Sequence, residues 1–140
     1  MSQAQPRSSD PKRKRLSLSR APSVLLVDAN VQLRQALHLF LERQGFDVLP
    51  AISGTSALAV VRAHPWPVRV LVVDLDLPDM NGFEVAERVA REAGPVPTVF
   101  TSATILRSAV PAWVFDAGHA FLEKPFTLEQ LEAAVRKAAG

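Results

Sequence analysis

The sequence predicts an α/β domain in which helices cover both faces of a doubly wound parallel sheet. Short apolar runs alternate with stretches of helical periodicity, five times each, between Val24 and Ala139. The runs 24–27 and 70–73 contain no polar residue, which is typical of parallel strands buried on both faces. Regular alternation of strand and helix favours a parallel sheet over an antiparallel one.

The five predicted strands are short runs rich in valine, leucine and phenylalanine, with turn residues at their ends. They cover residues 24–28, 46–51, 68–74, 97–102 and 120–124. Consecutive strands are separated by a single helical stretch, so each connection is long enough for the right-handed crossover that parallel strands require.

The five helices are predicted from apolar residues that recur every three or four positions, and from their caps. They cover residues 30–44, 53–65, 81–93, 106–117 and 127–139. The first helix places four apolar side chains on one face, namely Leu33, Leu37, Phe40 and Leu41. Ser53 or Thr55 caps the second helix, and Thr127 with Gln130 forms a capping box on the fifth. The fourth contains Pro111, so we expect it to begin near Pro111 and to be short.

Composition limits the class of protein. Hydrophobic residues make up 48% of the 140 positions and charged residues 21%, as in an ordinary globular domain. The chain has no cysteine, which excludes disulfides, thiolate metal sites and cysteine nucleophiles. No apolar run approaches the roughly 20 residues of a membrane span, so we expect a cytoplasmic protein with no membrane partner.

Charge divides the chain into a tail, residues 1–23, and a domain, residues 24–140. The first twenty residues hold six basic side chains and one acid, whereas the remainder holds ten basic and thirteen acidic ones. The tail is polar and lacks periodicity, so we expect it to be disordered. Its basic run, residues 12–20, is the one place where we expect any contact with nucleic acid, and a solvated leader without a role is the alternative.

Functional groups are expected at the carboxyl ends of the strands, where ligands bind in sheets of this kind. The strand ends carry Asp28, Asp74, Thr101 with Ser102, and Lys124. A single aspartate after a strand is usually a turn or cap residue. Two carboxylates, a hydroxyl and an ammonium at four strand ends instead indicate a shared site.

These motifs resemble the response-regulator receiver domain of two-component signalling, over about Ser23 to Ala139. The matching stretches are VLLVD, VVDLDLPDMNG, TSA and FLEKPF. The resemblance implies a flavodoxin-like sheet with strand order 2-1-3-4-5 and five helices. It also implies a signalling protein that is not a turnover enzyme, and a cis peptide bond between Lys124 and Pro125.

The resemblance implies a role for each residue of the site. Asp74 accepts a phosphoryl group from a histidine kinase or a histidine phosphotransfer protein. Asp28, Asp74 and the backbone carbonyl of Asp76 hold Mg²⁺, an ion that prefers oxygen ligands. Lys124 pairs with one phosphoryl oxygen as a point charge, and Ser102 hydrogen-bonds another.

The resemblance also implies an output surface formed by helix four, strand five and helix five. Ser102 draws its loop toward the phosphoryl group, and Phe121 moves into the space that the loop leaves. Trp113 and Phe115 lie on the proline-shortened fourth helix, where we expect an exposed apolar patch. This patch would bind a downstream target protein or a second copy of the chain. The alternative is that two of the three residues from Trp113 to Phe115 are buried.

One position departs from the family pattern. The family usually has two adjacent acids after strand one, whereas this chain has Asp28 followed by Ala29. Asn30 comes one residue too late to replace the missing acid. We therefore expect weak Mg²⁺ binding, and a pseudo-receiver that binds proteins without taking phosphate is the alternative function.

A remote alternative is enzymatic. The segment DLDLP resembles the aspartate-x-aspartate motif of haloacid-dehalogenase-type phosphatases, in which the first aspartate is also a nucleophile. That family holds its metal with an acidic pair after the lysine, and only Glu129 and Glu132 follow Lys124 here. Because the sequence ends soon after the fifth helix, we expect a stand-alone receiver, and the alternative is a receiver excised from a longer chain.

Overall fold

The computed structural model describes residues 21–103, 110–116 and 118–140. The strands are β1 (Ser23–Val27), β2 (Asp47–Ala51), β3 (Val70–Asp74), β4 (Thr98–Ser102) and β5 (Ala120–Glu123). The helices are α1 (Val31–Arg43), α2 (Gly54–Ala63), α3 (Gly82–Ala93), α4 (Ala112–Asp116) and α5 (Leu128–Ala139). Each element lies within a stretch predicted from the sequence, apart from the first residue of β1.

All five strands are parallel, and their order in the sheet is β2-β1-β3-β4-β5. The predicted α/β class and strand order are therefore confirmed. The register places Val27 of β1 beside both Ala51 and Val73. In the same way, Asp74 of β3 lies beside Thr101 of β4. The carboxyl ends of the strands consequently share one edge of the sheet.

Side chains alternate between two apolar layers because successive residues of a strand point to opposite faces. Leu25 and Val27 of β1 belong to one layer, together with residues of α2, α3 and α4. Val24 and Leu26 belong to the other layer, together with residues of α1 and α5. The apolar face predicted for α1 lies in this second layer, where Leu37 is buried.

Helix starts are fixed by side-chain caps. The Asn30 side chain accepts a hydrogen bond from the Leu33 amide at 2.9 Å. Ser53, rather than Thr55, caps α2. The capping box predicted for Thr127 and Gln130 is present in both directions. These caps place the first turns of α1, α2 and α5 at the carboxyl edge of the sheet.

Two predicted boundaries, the start of the domain and the start of the fourth helix, can be compared with the structure, and the first of them differs. Ser23 belongs to β1 rather than to the tail, because it pairs with Asp47 and its carbonyl accepts the Arg69 amide at 2.8 Å. Helix α4 begins right after Pro111 and has five residues, as expected for a proline-shortened helix. The rest of the predicted tail up to residue 20, and residues 106–109 of the predicted fourth helix, lie outside the described residues.

Within the described ranges, no helix has the length and apolar character that a membrane span needs.

Candidate functional site

Two buried carboxylates and one ammonium meet at the carboxyl edge of the sheet. Lys124 Nζ lies 3.1 Å from Asp28 Oδ2 and 3.1 Å from Asp74 Oδ2. Asp28 is 3% exposed and Asp74 is 6% exposed. The lysine therefore bridges the ends of β1 and β3, two of the four strands whose ends the sequence predicted to form a shared site.

Each carboxylate is also held by the loop that follows it. Asp28 Oδ1 accepts the Asn30 amide at 2.8 Å, and Asp74 Oδ1 accepts the Asp76 amide at 3.1 Å. Both side chains thus have one oxygen on a backbone amide and one on Lys124. This arrangement orients the acids before any ligand arrives.

Burial and pairing act in opposite directions on the protonation of these groups. Burial raises the pKa of Asp74, and its hydrogen bonds to Asp76 and Lys124 only partly offset that effect. Burial alone lowers the pKa of Lys124, but the charge of Asp28 and the hydrogen bonds to both acids outweigh it, so the pKa is raised. Lys124 is therefore an ammonium ion at neutral pH.

The hydroxyl residues of β4 lie at the same edge. Thr101 and Ser102 are each 2% exposed. The carbonyl of Thr101 accepts the Leu75 amide at 2.9 Å, and that of Ser102 accepts the Lys124 amide at 2.8 Å. The Lys124–Pro125 bond is cis, as expected. The structure thus brings the residues at all four strand ends to one edge of the sheet.

The other acids of the β3–α3 loop have different environments. Asp76 is exposed. Asp79 accepts hydrogen bonds from the Thr55 hydroxyl at 2.6 Å and from the backbone amides of Thr55 and Gly54. These bonds, that from the Thr55 hydroxyl first, lower the pKa of Asp79 to about 2. Asp79 therefore ties the loop after Asp74 to the amino end of α2 and takes no part in the site.

The donor set for a metal ion is small. Across the described ranges, no group of three or more histidine, cysteine or acidic side chains is placed to hold a metal. Ala29 is exposed and offers no ligand atom, and the Asn30 side chain is used as the α1 cap. The oxygens expected to bind Mg²⁺ are thus two carboxylates, from Asp28 and Asp74, and the backbone carbonyl of Asp76.

Phe121 connects the site region to α4. It lies beside Phe100 in the β4–β5 register, and the two rings stack with centroids 5.4 Å apart. Its ring also lies 6.2 Å from that of Phe83 and 6.0 Å from that of Phe115. Phe121 therefore packs against both the core and the exposed part of α4.

The prediction of an exposed Trp113 is wrong in part. Its indole packs edge-on against Phe100, with centroids 6.4 Å apart, and lines a cleft next to α3. Val114 is fully buried, whereas Phe115 is 43% exposed. Because the three residues are consecutive on a helix of five residues, they point in three directions, and only Phe115 has the predicted exposure.

Two residues near the site were not predicted. Arg34 of α1 donates a hydrogen bond from Nη1 to the Asp28 carbonyl at 2.7 Å. Gly82, the first residue of α3, is buried against the backbone of Asp74 and Leu75. A glycine straight after the first residue of the predicted third helix, Asn81, is the one sequence signal for this close approach.

Comparison with known proteins identifies the family. Residues 24–136 match the model of the response regulator receiver domain. Over 122 residues, 86% of this chain, it is 31% identical to the C4-dicarboxylate transport transcriptional regulatory protein DctD of Rhizobium meliloti (strain 1021). Over 113 residues, 81% of this chain, it is 36% identical to the DNA-binding response regulator MtrA of Mycolicibacterium paratuberculosis. The alignments cover 26% and 49% of those proteins, so the chain spans about half of their length or less.

Solved structures share the fold. The non-phosphorylated HemR receiver domain from Leptospira biflexa aligns with a TM-score of 0.74 at 28% identity, over 85% of this chain and 94% of that chain. The chemotaxis response regulator CheY4 of Vibrio cholerae aligns with a TM-score of 0.72 at 26% identity, over 84% and 98%. Receiver domains typically bind Mg²⁺ and act in signalling rather than as turnover enzymes, which counts against the phosphatase alternative. The chain therefore belongs to the response regulator receiver domain family of two-component systems.

Proposed function

We propose that this domain accepts a phosphoryl group on Asp74 from the phosphohistidine of a histidine kinase or a histidine phosphotransfer protein. The observation that carries the proposal is the placement of Lys124 between Asp28 and Asp74, 3.1 Å from each. A buried pair of acids is costly unless it is paired, and here the pairing group is the cation that a phosphoryl group would need.

The chemistry is a transfer between two nucleophiles. A carboxylate oxygen of Asp74 attacks phosphorus and forms an O–P bond while the P–N bond of the donor breaks. The electron pair of that bond stays on the departing imidazole nitrogen. Lys124 offsets the charge on one phosphoryl oxygen, and the Ser102 hydroxyl donates a hydrogen bond to another.

The residues present offer the type of ligand atom that Mg²⁺ prefers, but they offer few of them. The carboxylates of Asp28 and Asp74 and the carbonyl oxygen of Asp76 are the hard oxygen ligands that Mg²⁺ prefers. The bound ion would supply positive charge next to the phosphoryl oxygens. Because Ala29 contributes no carboxylate and Lys124 already neutralises part of the charge, we propose that the ion binds more weakly than in a site with two adjacent acids.

The signal would leave through α4, β5 and α5. Ser102, once bonded to the phosphoryl group, would pull the end of β4 toward Asp74. Phe121 lies opposite Phe100 on β4 and contacts Phe115, so its ring is placed to follow this movement. The partner would be a downstream target protein or a second copy of the domain.

A second candidate is a pseudo-receiver that binds its partner without phosphorylation. The specific observation in its favour is Ala29, which stands where the family usually has an acid. The bridge from Lys124 to both carboxylates could then serve stability alone.

Acetyl phosphate with Mg²⁺ distinguishes the two candidates when intact mass is measured. If Asp74 is the phosphoacceptor, the wild-type protein and an Asp76→Asn control should each gain one phosphoryl group, whereas an Asp74→Asn variant should gain none. Absence of a mass gain in the wild type, with acetyl phosphate and also with a phosphorylated histidine phosphotransfer protein, would support the pseudo-receiver. A gain that persists in Asp74→Asn would place the acceptor elsewhere.

A further inference from the structure

His119 connects two parts of the fold through both its ring and its backbone. Its Nδ1 accepts a hydrogen bond from the backbone amide of Thr98, the first residue of β4, at 2.9 Å. Its own amide donates to the carbonyl of Val114 in α4 at 3.2 Å. Since the Thr98 amide can only donate, Nδ1 must carry a lone pair, and the ring proton must lie on Nε2.

The ring is packed among aromatic side chains. It meets Phe100 edge-on with centroids 5.8 Å apart, and Trp113 edge-on with centroids 5.6 Å apart. Burial lowers the pKa of His119, which favours the neutral ring that the hydrogen bond requires.

Among the described residues, the charged side chains that line the cleft beside the ring come from α3. Glu87 and Arg91 line the same cleft of about 480 Å³ as Trp113 and His119. Both are exposed, and their charges have opposite sign. The neighbours from the two strands, Thr98 and Ala120, are uncharged, and among the described side chains of α4 Trp113 contacts the ring. No salt bridge involves His119 among the residues that the structure describes.

We propose that His119 is a proton-sensitive latch that holds the α4–β5 segment against the start of β4. The neutral ring accepts the Thr98 amide, whereas a ring protonated on Nδ1 would present an N–H to that amide and lose the bond. Loss of the bond would loosen the packing of His119 on Trp113 and Phe100. The latch does not depend on phosphorylation of Asp74.

The direction of the pH effect follows from the lowered pKa. The unfolded chain, in which the pKa of histidine is near 6.5, binds the proton more tightly than the folded domain. The stability that His119 contributes is therefore complete above about pH 6.5 and is lost as the pH falls through the folded-state pKa. Mild acid should open the α4–β5 segment before the rest of the domain.

Two measurements on the whole chain test the latch. At about pH 8, imidazole ¹⁵N shifts should show His119 with unprotonated Nδ1 and protonated Nε2. The amide exchange protection factor of Thr98, corrected for intrinsic rates, should fall about fivefold between about pH 8 and pH 5, as expected for loss of one hydrogen bond. A His119 ring protonated on Nδ1 at about pH 8 would overturn the proposal.

Two variants serve as controls. His119→Asn keeps an acceptor, Oδ1, near the position of Nδ1 but does not titrate, so its Thr98 protection should not change with pH. His38→Asn, remote in sequence and paired with Glu42 on α1, should keep the wild-type pH profile. Equal pH profiles in the wild type and His119→Asn would also overturn the proposal. If His119→Asn fails to fold, the imidazole ¹⁵N titration of the wild type decides the matter.

Discussion

Gly82 lies so close to Asp74 that no larger residue fits without movement. A Cβ added at Gly82 would lie 2.7 Å from the carbonyl oxygen of Asp74 and 3.1 Å from Cα of Leu75. Both contacts are with backbone, which has no rotamer with which to move aside. The start of α3 is therefore packed directly on the residue that carries the proposed chemistry.

A Gly82→Ala substitution should displace α3 or Asp74. We expect a loss of about 1–3 kcal/mol in the free energy of unfolding, as for overpacked sites. Phosphorylation by acetyl phosphate should also slow, because Asp74 would shift relative to Lys124. Urea unfolding and intact mass measure the two effects.

Gly54→Ala is the matched control for this prediction. Gly54 is also the first residue of its helix, but the three atoms nearest to a Cβ there would all belong to the side chain of Met80. A flexible methionine can move, so the loss of stability should be smaller and phosphorylation should be unchanged. Equal effects of the two substitutions would show that the contact with Asp74 has no special cost.

Restoring the missing acid should strengthen metal binding. We expect Ala29→Asp to bind Mg²⁺ at least about 10-fold more tightly. Even a residue that only hydrogen-bonds to a metal ligand typically changes metal affinity by about 10- to 100-fold. Isothermal titration calorimetry measures the change, and Ala29→Asn, which adds a side chain of similar size without the charge, is the control. An unchanged affinity in Ala29→Asp would mean that the ion binds elsewhere.

Removal of Lys124 should leave two buried carboxylates without their cation. We expect Lys124→Met to lose about 2 kcal/mol at pH 7, below the value for a fully buried pair because the lysine side chain is 22% exposed. Lys137→Met, an exposed lysine of α5, is the control and should lose little.

The deficit of Lys124→Met should depend on pH. Burial already raises the folded-state pKa of Asp74 above its ordinary 3.8, and loss of the lysine would raise it further. A raised pKa means that the folded state binds the proton more tightly than the unfolded state. The deficit should therefore shrink as the pH falls toward 3.8. Urea unfolding across this range checks the trend, and a deficit that grew in acid would contradict it.

Phe115 and Trp113 should respond differently to substitution by glutamate. Phe115→Glu should leave the melting temperature nearly unchanged and weaken self-association or partner binding, because Phe115 is 43% exposed. Trp113→Glu should destabilise the domain instead, because its ring packs on Phe100 and His119. Thermal unfolding and analytical ultracentrifugation separate these effects. Unfolding of the Phe115→Glu variant would show that Phe115 is needed for the core, and would contradict the proposed output surface of α4, β5 and α5.

The fold could be predicted from local sequence patterns, because the patterns that indicate a strand or a helix extend over only a few residues. The runs ending in Asp28 and Asp74 are apolar enough to predict buried strands, and parallel pairing then places their ends together. The same reasoning brought Ser102 and Lys124 to that edge, where the structure has them, although their roles stay predictions.

Contacts between distant segments could not be read in this way. Asp79 binds the amino end of α2, about 25 residues earlier, and its sequence neighbourhood shows only another acid in a loop. The prediction that Trp113 is exposed was wrong in part for a different reason. A helix of five residues is too short for the spacing of its apolar residues to indicate which face is buried.

Peptide mapping after borohydride reduction tests the central claim most directly. Borohydride converts an aspartyl phosphate to homoserine, so the modified position can be read by mass spectrometry after treatment with acetyl phosphate and Mg²⁺. We predict homoserine at position 74 and at none of Asp28, Asp76 or Asp79. Homoserine at another of these positions, or none in a protein that has gained a phosphoryl group, would contradict the assignment of Asp74 as the phosphoacceptor.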